Sequence, residues 1–288
     1  MSKVVKKPYI IREKILFIIL LLIISVFRFI EINSSKSILN NQPTSITPSS
    51  NIIENSNTAG SREETAEPVP EKRFKNIYTI KQILNENLDY KAFLTFDDGP
   101  SRNTEEILKI LKKYNIKATF FIVGKAAENQ RHLVKKIHSQ GHSIGNHSYS
   151  HNVHYKSFSP EKFLEDINKN DMLLKDILGK DFKTNLVRFP GGSFNLPSYK
   201  NKLKSAGYED INWNASNGDT ASIRVPTEVL LNNIYTETEA INRRKQGHSL
   251  VILMHDLPTK ETTVETLPKI IEYLKNKGYE FCIISENN

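Results

Sequence analysis

From Lys91 onward the chain alternates short apolar runs of strand length with longer amphipathic stretches. The strand candidates are 91–96, 118–123, 142–146, 186–189, 208–213, 249–254 and 279–284. Between them the pattern predicts helices over 103–114, 128–140, 160–178, 197–206, 226–246 and 263–277. Asn103 or Thr104 is placed to cap the first of these. Ser159 followed by Pro160 reads as an N-cap with proline at the first helical position. Gly141, Gly179, Gly207, Gly247 and Gly278 each fall near a predicted helix end. Upstream, Ile77, Ile80, Ile83 and Leu84 indicate one short helix within 74–90. Strands alternating with helices point to a parallel sheet with crossover helices, either an open doubly wound sheet or a barrel.

The polar residues favour the barrel. Asp97 and Asp98, His147, Arg188, Asn212 with Trp213, and His255 all lie at or just past the C-terminal ends of different strands. In a barrel those ends converge on one face. An open sheet gathers them near one switch point instead.

The region before the domain has a different pattern. Residues 15–27 are apolar except for Ser25, and five basic residues precede them. That arrangement keeps the N-terminus in the cytoplasm and exports the rest of the chain. The run is short for a span of roughly 20 residues, but Phe29, Ile30 and Ile32 extend it. An uncleaved membrane anchor over 1–33 is the expectation, with a cleaved signal peptide and a secreted domain as the alternative. Residues 34–73 are rich in Ser, Asn, Thr, Pro and Glu and lack a hydrophobic period, so they read as a flexible linker. Residues 74–288 form the folded domain.

Composition adds little beyond this. Of the net charge of +8, residues 1–36 supply five, from seven Lys/Arg against two Glu. The basic balance therefore belongs to the N-terminus and does not indicate nucleic-acid binding. No nucleic-acid or protein partner is inferred. The single cysteine, Cys282, excludes an intramolecular disulfide and reads as a buried strand residue.

Four motifs carry candidate chemistry. Thr95-Phe96-Asp97-Asp98-Gly99-Pro100 ends a strand with two carboxylates whose side chains diverge, so one can ligate a metal while the other takes a proton. Alone, Asp-Gly-Pro is equally good turn chemistry. His147 and His151 are four apart, which places both rings on one side of a helical turn within reach of one ion. Arg188, followed by Phe189-Pro190-Gly191-Gly192, is a fixed cation able to hold a carboxylate. His255 ends a strand, and Asp219 is a plausible partner that raises its pKa. Each is weak alone; together they give a metal set, a base, an acid and two charge partners.

At these residues the chain resembles the polysaccharide deacetylase family with the NodB homology domain, carbohydrate esterase family 4, over about 91–284. The motifs are TFDDGP at 95–100, HSYSH at 147–151, RFPGG at 188–192, the region 213–219 and LMH at 253–255. The resemblance implies a distorted (β/α) barrel of about seven parallel strands. It implies Asp98, His147 and His151 as ligands of zinc, or of cobalt or another divalent metal. Asp97 would be the catalytic base, oriented by Arg188, and His255 the general acid, partnered by Asp219. The backbone N–H of Gly191 would help stabilise the oxyanion, and Leu253 would line the acetyl-methyl pocket. The family often has an aromatic residue where Gly191 stands and a Trp after the aspartate, where this chain has Thr220. The pocket is therefore expected to be more open, with Trp213 supplying part of its apolar wall. The expected activity is N-deacetylation of N-acetylglucosamine units of peptidoglycan. Other glycans (N-acetylmuramic acid, poly-N-acetylglucosamine, chitooligosaccharide, acetylxylan) are alternatives, and an inactive carbohydrate-binding relic is an alternative of another class.

Overall fold

The computed structural model describes residues 76–285. The expected anchor and linker lie outside the described residues, among which no helix is long and apolar enough to cross a membrane. The strands are β1 (Ile77–Thr79), β2 (Lys91–Asp97), β3 (Thr119–Ile122), β4 (Ser143–Asn146), β5 (Leu186–Val187), β6 (Glu209–Asp210), β7 (Ala215–Ser216), β8 (Leu250–His255) and β9 (Glu280–Ser285). The helices are α1 (Ile80–Asn85), α2 (Thr104–Lys113), α3 (Gly124–Asn129), α4 (Arg131–Ser139), α5 (Pro160–Leu178), α6 (Pro197–Ser205), α7 (Thr227–Asn242) and α8 (Glu261–Asn276).

The strand pairings among the described residues are parallel. Running β7-β8-β2-β3-β4-β5-β6, seven strands curl into an incomplete barrel, and no ladder joins β6 to β7 among the described residues. β9 pairs with the start of β2 and carries β1 on its other edge. The seven expected strands are β2 to β6, β8 and β9, all parallel and curled into a half-barrel, with the short β1 and β7 added to them.

Strand alternation sorts the core into two layers. Leu94, Phe96, Ile252 and Met254 face outward and pack with the helices. Phe93, Phe121, Leu186, Ile211, Val251, Cys282 and Ile284 fill the interior. Cys282 is fully buried, and burial pushes its thiol up to about 12, so it is an inert packing residue.

Several boundaries differ from the sequence pattern, each for a local reason. The one short helix expected within 74–90 is α1, and it is preceded by β1, which docks on β9. Thr79 then caps α1 in a reciprocal box with Gln82. The helix expected over 128–140 is two, broken at Gln130, whose amide donates to the Pro100 carbonyl. The strand expected over 208–213 is only two residues long. Beyond it, the Ile211 and Asn212 carbonyls accept from the Arg188 guanidinium instead of a neighbouring strand. Ser159 caps α5 as expected, but Asn103 makes no side-chain cap bond to α2.

Candidate active site

β2 and β8 run side by side in a register that sets Thr95 opposite Leu253 and Asp97 opposite His255. Alternation sends all four side chains to the barrel interior, above the apolar layer. Asp98 would then face outward. It does not, because its φ is +73°, which turns its carboxylate back to the same site. Asp98 Oδ1 lies 2.9 Å from His151 Nε2 and 3.4 Å from His147 Nε2.

The two histidines come together differently from the helical turn that their spacing suggests. Residues 147–151 are a loop in which Ser148 and His151 have φ of +64° and +51°. The loop is held from below. Ser148 N–H donates to Asn146 Oδ1, and Asn170 of α5 donates to the same oxygen. Asp166, also on α5, accepts from Ser150 N–H and its hydroxyl. His147 donates from Nδ1 to the Arg188 carbonyl at 2.7 Å, leaving Nε2 as a lone-pair donor.

The donor set fits a divalent ion. One oxygen and two imidazole nitrogens lie within 4.8 Å of one another. A tetrahedral ion with bonds of about 2.0–2.1 Å needs ligand atoms about 3.3 Å apart, close to the separations found. Asp98 Oδ1 is also a buried oxygen that makes no hydrogen bond, the condition of an atom built for an ion. Burial opposes its charge, but the adjacent His147 and His151 imidazoles outweigh that and hold its pKa well below the usual carboxylate range.

Asp97 stands on one side of this set. Its Oδ1 accepts from Arg188 Nη1 at 2.9 Å, and its Oδ2 is 3.6 Å from His147 Nε2. Arg188 is fully buried, stacked 4.2 Å from the Phe121 ring centroid. It also donates to Thr95 Oγ1, which itself donates to the Ile252 carbonyl. Burial lowers the Arg188 pKa, against the pull of Asp97, but a guanidinium has far to fall before it loses its proton.

His255 is the neighbour of Asp97 on the adjoining strand β8. Its Nδ1 meets Asp219 Oδ1 at 2.7 Å, and its backbone N–H donates to Asp219 Oδ2. Burial opposes the imidazolium, but the Asp219 hydrogen bond and charge outweigh it and raise the pKa above the ordinary histidine value. Asp219 is lowered for the reciprocal reason, again against burial. Thr263 donates to its Oδ2, and the Lys260 ammonium donates to the carbonyls of Asp219 and Ser222 at 2.7 Å each.

The sequence-predicted residues therefore converge. Asp97, Asp98, His147, His151, Arg188, His255 and Asp219 form one connected site, and Leu253 is buried two residues before His255. The ring centroid of Trp213 is 5.8 Å from the Arg188 guanidinium. Gly191 has φ +74° and is exposed, with nothing within 4 Å of where a Cβ would be. The supporting residues Thr95, Asn146, Asp166, Asn170, Asp256, Lys260 and Thr263 are not evident from sequence. Thr95 alone carries a signal, being two residues before Asp97 on the same strand face. Asp256 is buried and accepts from the Ser101 and Thr104 hydroxyls, anchoring the turn after Asp98. Its burial raises its pKa.

A three-donor ion site, with an arginine-held carboxylate on one flank and a carboxylate-held imidazole on the other, is the equipment of a hydrolase. Known proteins point the same way. The family model for polysaccharide deacetylase matches residues 85–211. A peptidoglycan-N-acetylglucosamine deacetylase of Bacillus cereus is 34% identical over 194 residues, covering 66% of this chain and 67% of that protein. The putative polysaccharide deacetylase YheN of Bacillus subtilis is 33% identical over 202 residues, covering 69% and 68%. A solved carbohydrate esterase family 4 (CE4) esterase of Streptococcus mutans superposes with a TM-score of 0.66 at 29% identity, covering 73% of this chain and 92% of that one. The polysaccharide deacetylase Bc1974 of Bacillus cereus gives 0.59 at 31%, covering 68% and 93%. This chain belongs to the polysaccharide deacetylase family, carbohydrate esterase family 4. It is a hydrolase of the class that acts on N-acetyl groups of polysaccharides.

Proposed function

We propose that this protein hydrolyses the N-acetyl groups of N-acetylglucosamine units in peptidoglycan, releasing acetate, with zinc held by Asp98, His147 and His151. The observation that carries the reading is the placement of Asp97 and His255 on adjacent strands, flanking that donor set. A bound zinc ion would polarise the acetyl carbonyl and make water acidic enough to attack near neutral pH. Asp97 takes the proton of the attacking water, and Arg188 orients its carboxylate. His255, protonated through its bond to Asp219, delivers a proton to the departing amine. Gly191 N–H faces the developing oxyanion, and Leu253 and Trp213 supply apolar walls for the acetyl methyl group.

Peptidoglycan is favoured because several of the relatives, of the genera Bacillus and Listeria, are named as peptidoglycan-N-acetylglucosamine deacetylases. A similar bifunctional xylanase/deacetylase of Pseudobutyrivibrio xylanivorans, 34% identical over 198 residues, makes acetylxylan the natural rival. The basic and apolar N-terminal residues support a domain held outside the cytoplasm at the membrane, where this polymer lies. Acetate release from peptidoglycan, chitooligosaccharide and acetylxylan by the zinc-loaded protein tests the reading. Release from acetylxylan alone would overturn the substrate assignment.

A further inference from the structure

The loop after Arg188 carries an aromatic ring that the proposed reaction does not use. Phe194 is 53% exposed, yet its surroundings are fixed. Its ring meets Trp213 edge-on, with centroids 5.6 Å apart and planes at 89°, a favoured geometry for an aromatic pair. Gly192 allows this approach. A Cβ there would lie 2.7 Å from Phe194 Cε2 and 3.2 Å from Trp213 Cη2. The adjoining backbone is pinned three times. Ser193 N–H donates to Asn212 Oδ1, the Ser193 hydroxyl donates to Asp210, and the buried Tyr155 hydroxyl donates to the Gly192 carbonyl.

A lone exposed phenylalanine is ordinary on a protein surface. An exposed ring on a pinned loop, braced by a second aromatic that touches the site, is a preorganised contact surface. The contacts run from the reacting carboxylate outward: Asp97 to Arg188, Arg188 to Trp213, Trp213 to Phe194. Beside Phe194 the chain is bare at Gly191. A β-linked pyranose ring presents an apolar face of axial C–H groups, which matches a ring of this size and position.

We propose that Phe194, braced by Trp213, is the platform on which a pyranose ring of the glycan stacks, and so determines which polymers the site accepts. The inference rests on the glycan deacetylase reading and adds the residue that holds the sugar. Its test uses the fact that Trp213 is the only tryptophan of the chain, so intrinsic indole emission reports on this pair alone. The full chain carrying Asp97→Asn, which is expected to slow turnover by at least about 10²-fold, is loaded with zinc and titrated with chitotetraose. Adding Phe194→Ala is expected to weaken binding on the order of tenfold, and Phe194→Tyr to restore it to within about twofold. An unchanged dissociation constant for Phe194→Ala, or a Tyr variant as weak as the Ala variant, overturns the platform. Acetate release by the chain with native Asp97 and Phe194 separates the two readings. Release with unaltered Phe194→Ala binding retires the platform alone, whereas no release from any N-acetylated glycan retires both.

Discussion

Asp98 and His151 stand on loops in left-handed backbone, and His147 begins the same loop as His151, whereas Asp97 and His255 close two paired strands. Left-handed backbone costs a non-glycine residue on the order of 1–3 kcal/mol and persists where the surroundings enforce it. Here three such residues, Asp98, Ser148 and His151, surround a buried oxygen with no hydrogen bond. The proposed acid and base need no ion to hold them. Asp97 has Arg188, and His255 has Asp219, Thr263 and Lys260 behind it. In the proposed reading the ligand half is completed by a cation, whereas the proton-transfer half is held by the protein alone. Removing a residue from each half should therefore have separable consequences.

The largest effects test that separation directly. Asp97→Asn keeps the ligand set and is expected to reduce turnover about 10²–10⁴-fold, the range of a lost general base, with zinc still bound stoichiometrically. His147→Ala is expected to lose turnover and zinc together, read by metal analysis of the purified protein. Full activity in Asp97→Asn would reassign the base. Stoichiometric zinc in His147→Ala would break the division into two halves.

Next in size is Asp219→Asn. The acid must be protonated, so activity falls as pH rises through the raised pKa of His255. Without the carboxylate, burial acts on the imidazole with less opposition and the pKa drops. The alkaline limb of the kcat profile should therefore move to lower pH, with turnover at neutral pH falling on the order of 10²-fold. Zinc content should not change. A limb that stays in place would show that a different group titrates there.

Zinc itself should act on stability through the ligand half. At a free concentration 100 times its dissociation constant, a ligand specific to the folded state adds about 2.7 kcal/mol. For a domain of this size that is a rise in melting temperature on the order of 5–10 °C. Thermal melts with zinc and with chelator should show this rise in the unsubstituted protein and lose most of it in His151→Ala.

What is legible in the amino-acid sequence divides along the same line. Residues on strands are readable, because period-two alternation and the hydrophobic runs fix both their element and their face. Asp97, Leu253 and His255 are placed that way, and Arg188 directly follows β5. The ligand residues are identifiable but their backbone is not: a spacing of four suggests a helical turn, and the chain forms a strained loop instead. That loop is decided by Asn146, Asp166 and Asn170, which meet only through the packing of α5 on the barrel. The same holds for the gap between β6 and β7, opened by carbonyls turned toward a guanidinium from another strand. Such contacts join residues far apart in the chain and leave no local pattern to read.

Lys260 gives the smallest effect on turnover and the finest test of the comparison. It is buried at the start of α8, and its ammonium caps the carbonyls of Asp219 and Ser222, with no ion pair among the described residues. It thus holds the backbone that carries Asp219 without touching the carboxylate that faces His255. Lys260→Met removes those bonds and leaves the buried Asp219 carbonyl unsatisfied, at about 1–3 kcal/mol. The melting temperature should fall clearly, whereas turnover at a permissive temperature should fall less than tenfold. The position of the alkaline limb separates backbone support from charge tuning. If Lys260 acts only on the backbone, the limb stays where His255 and Asp219 set it. A limb displaced as far as in Asp219→Asn would mean that the ammonium tunes the acid directly, and that the proton-transfer half extends to α8.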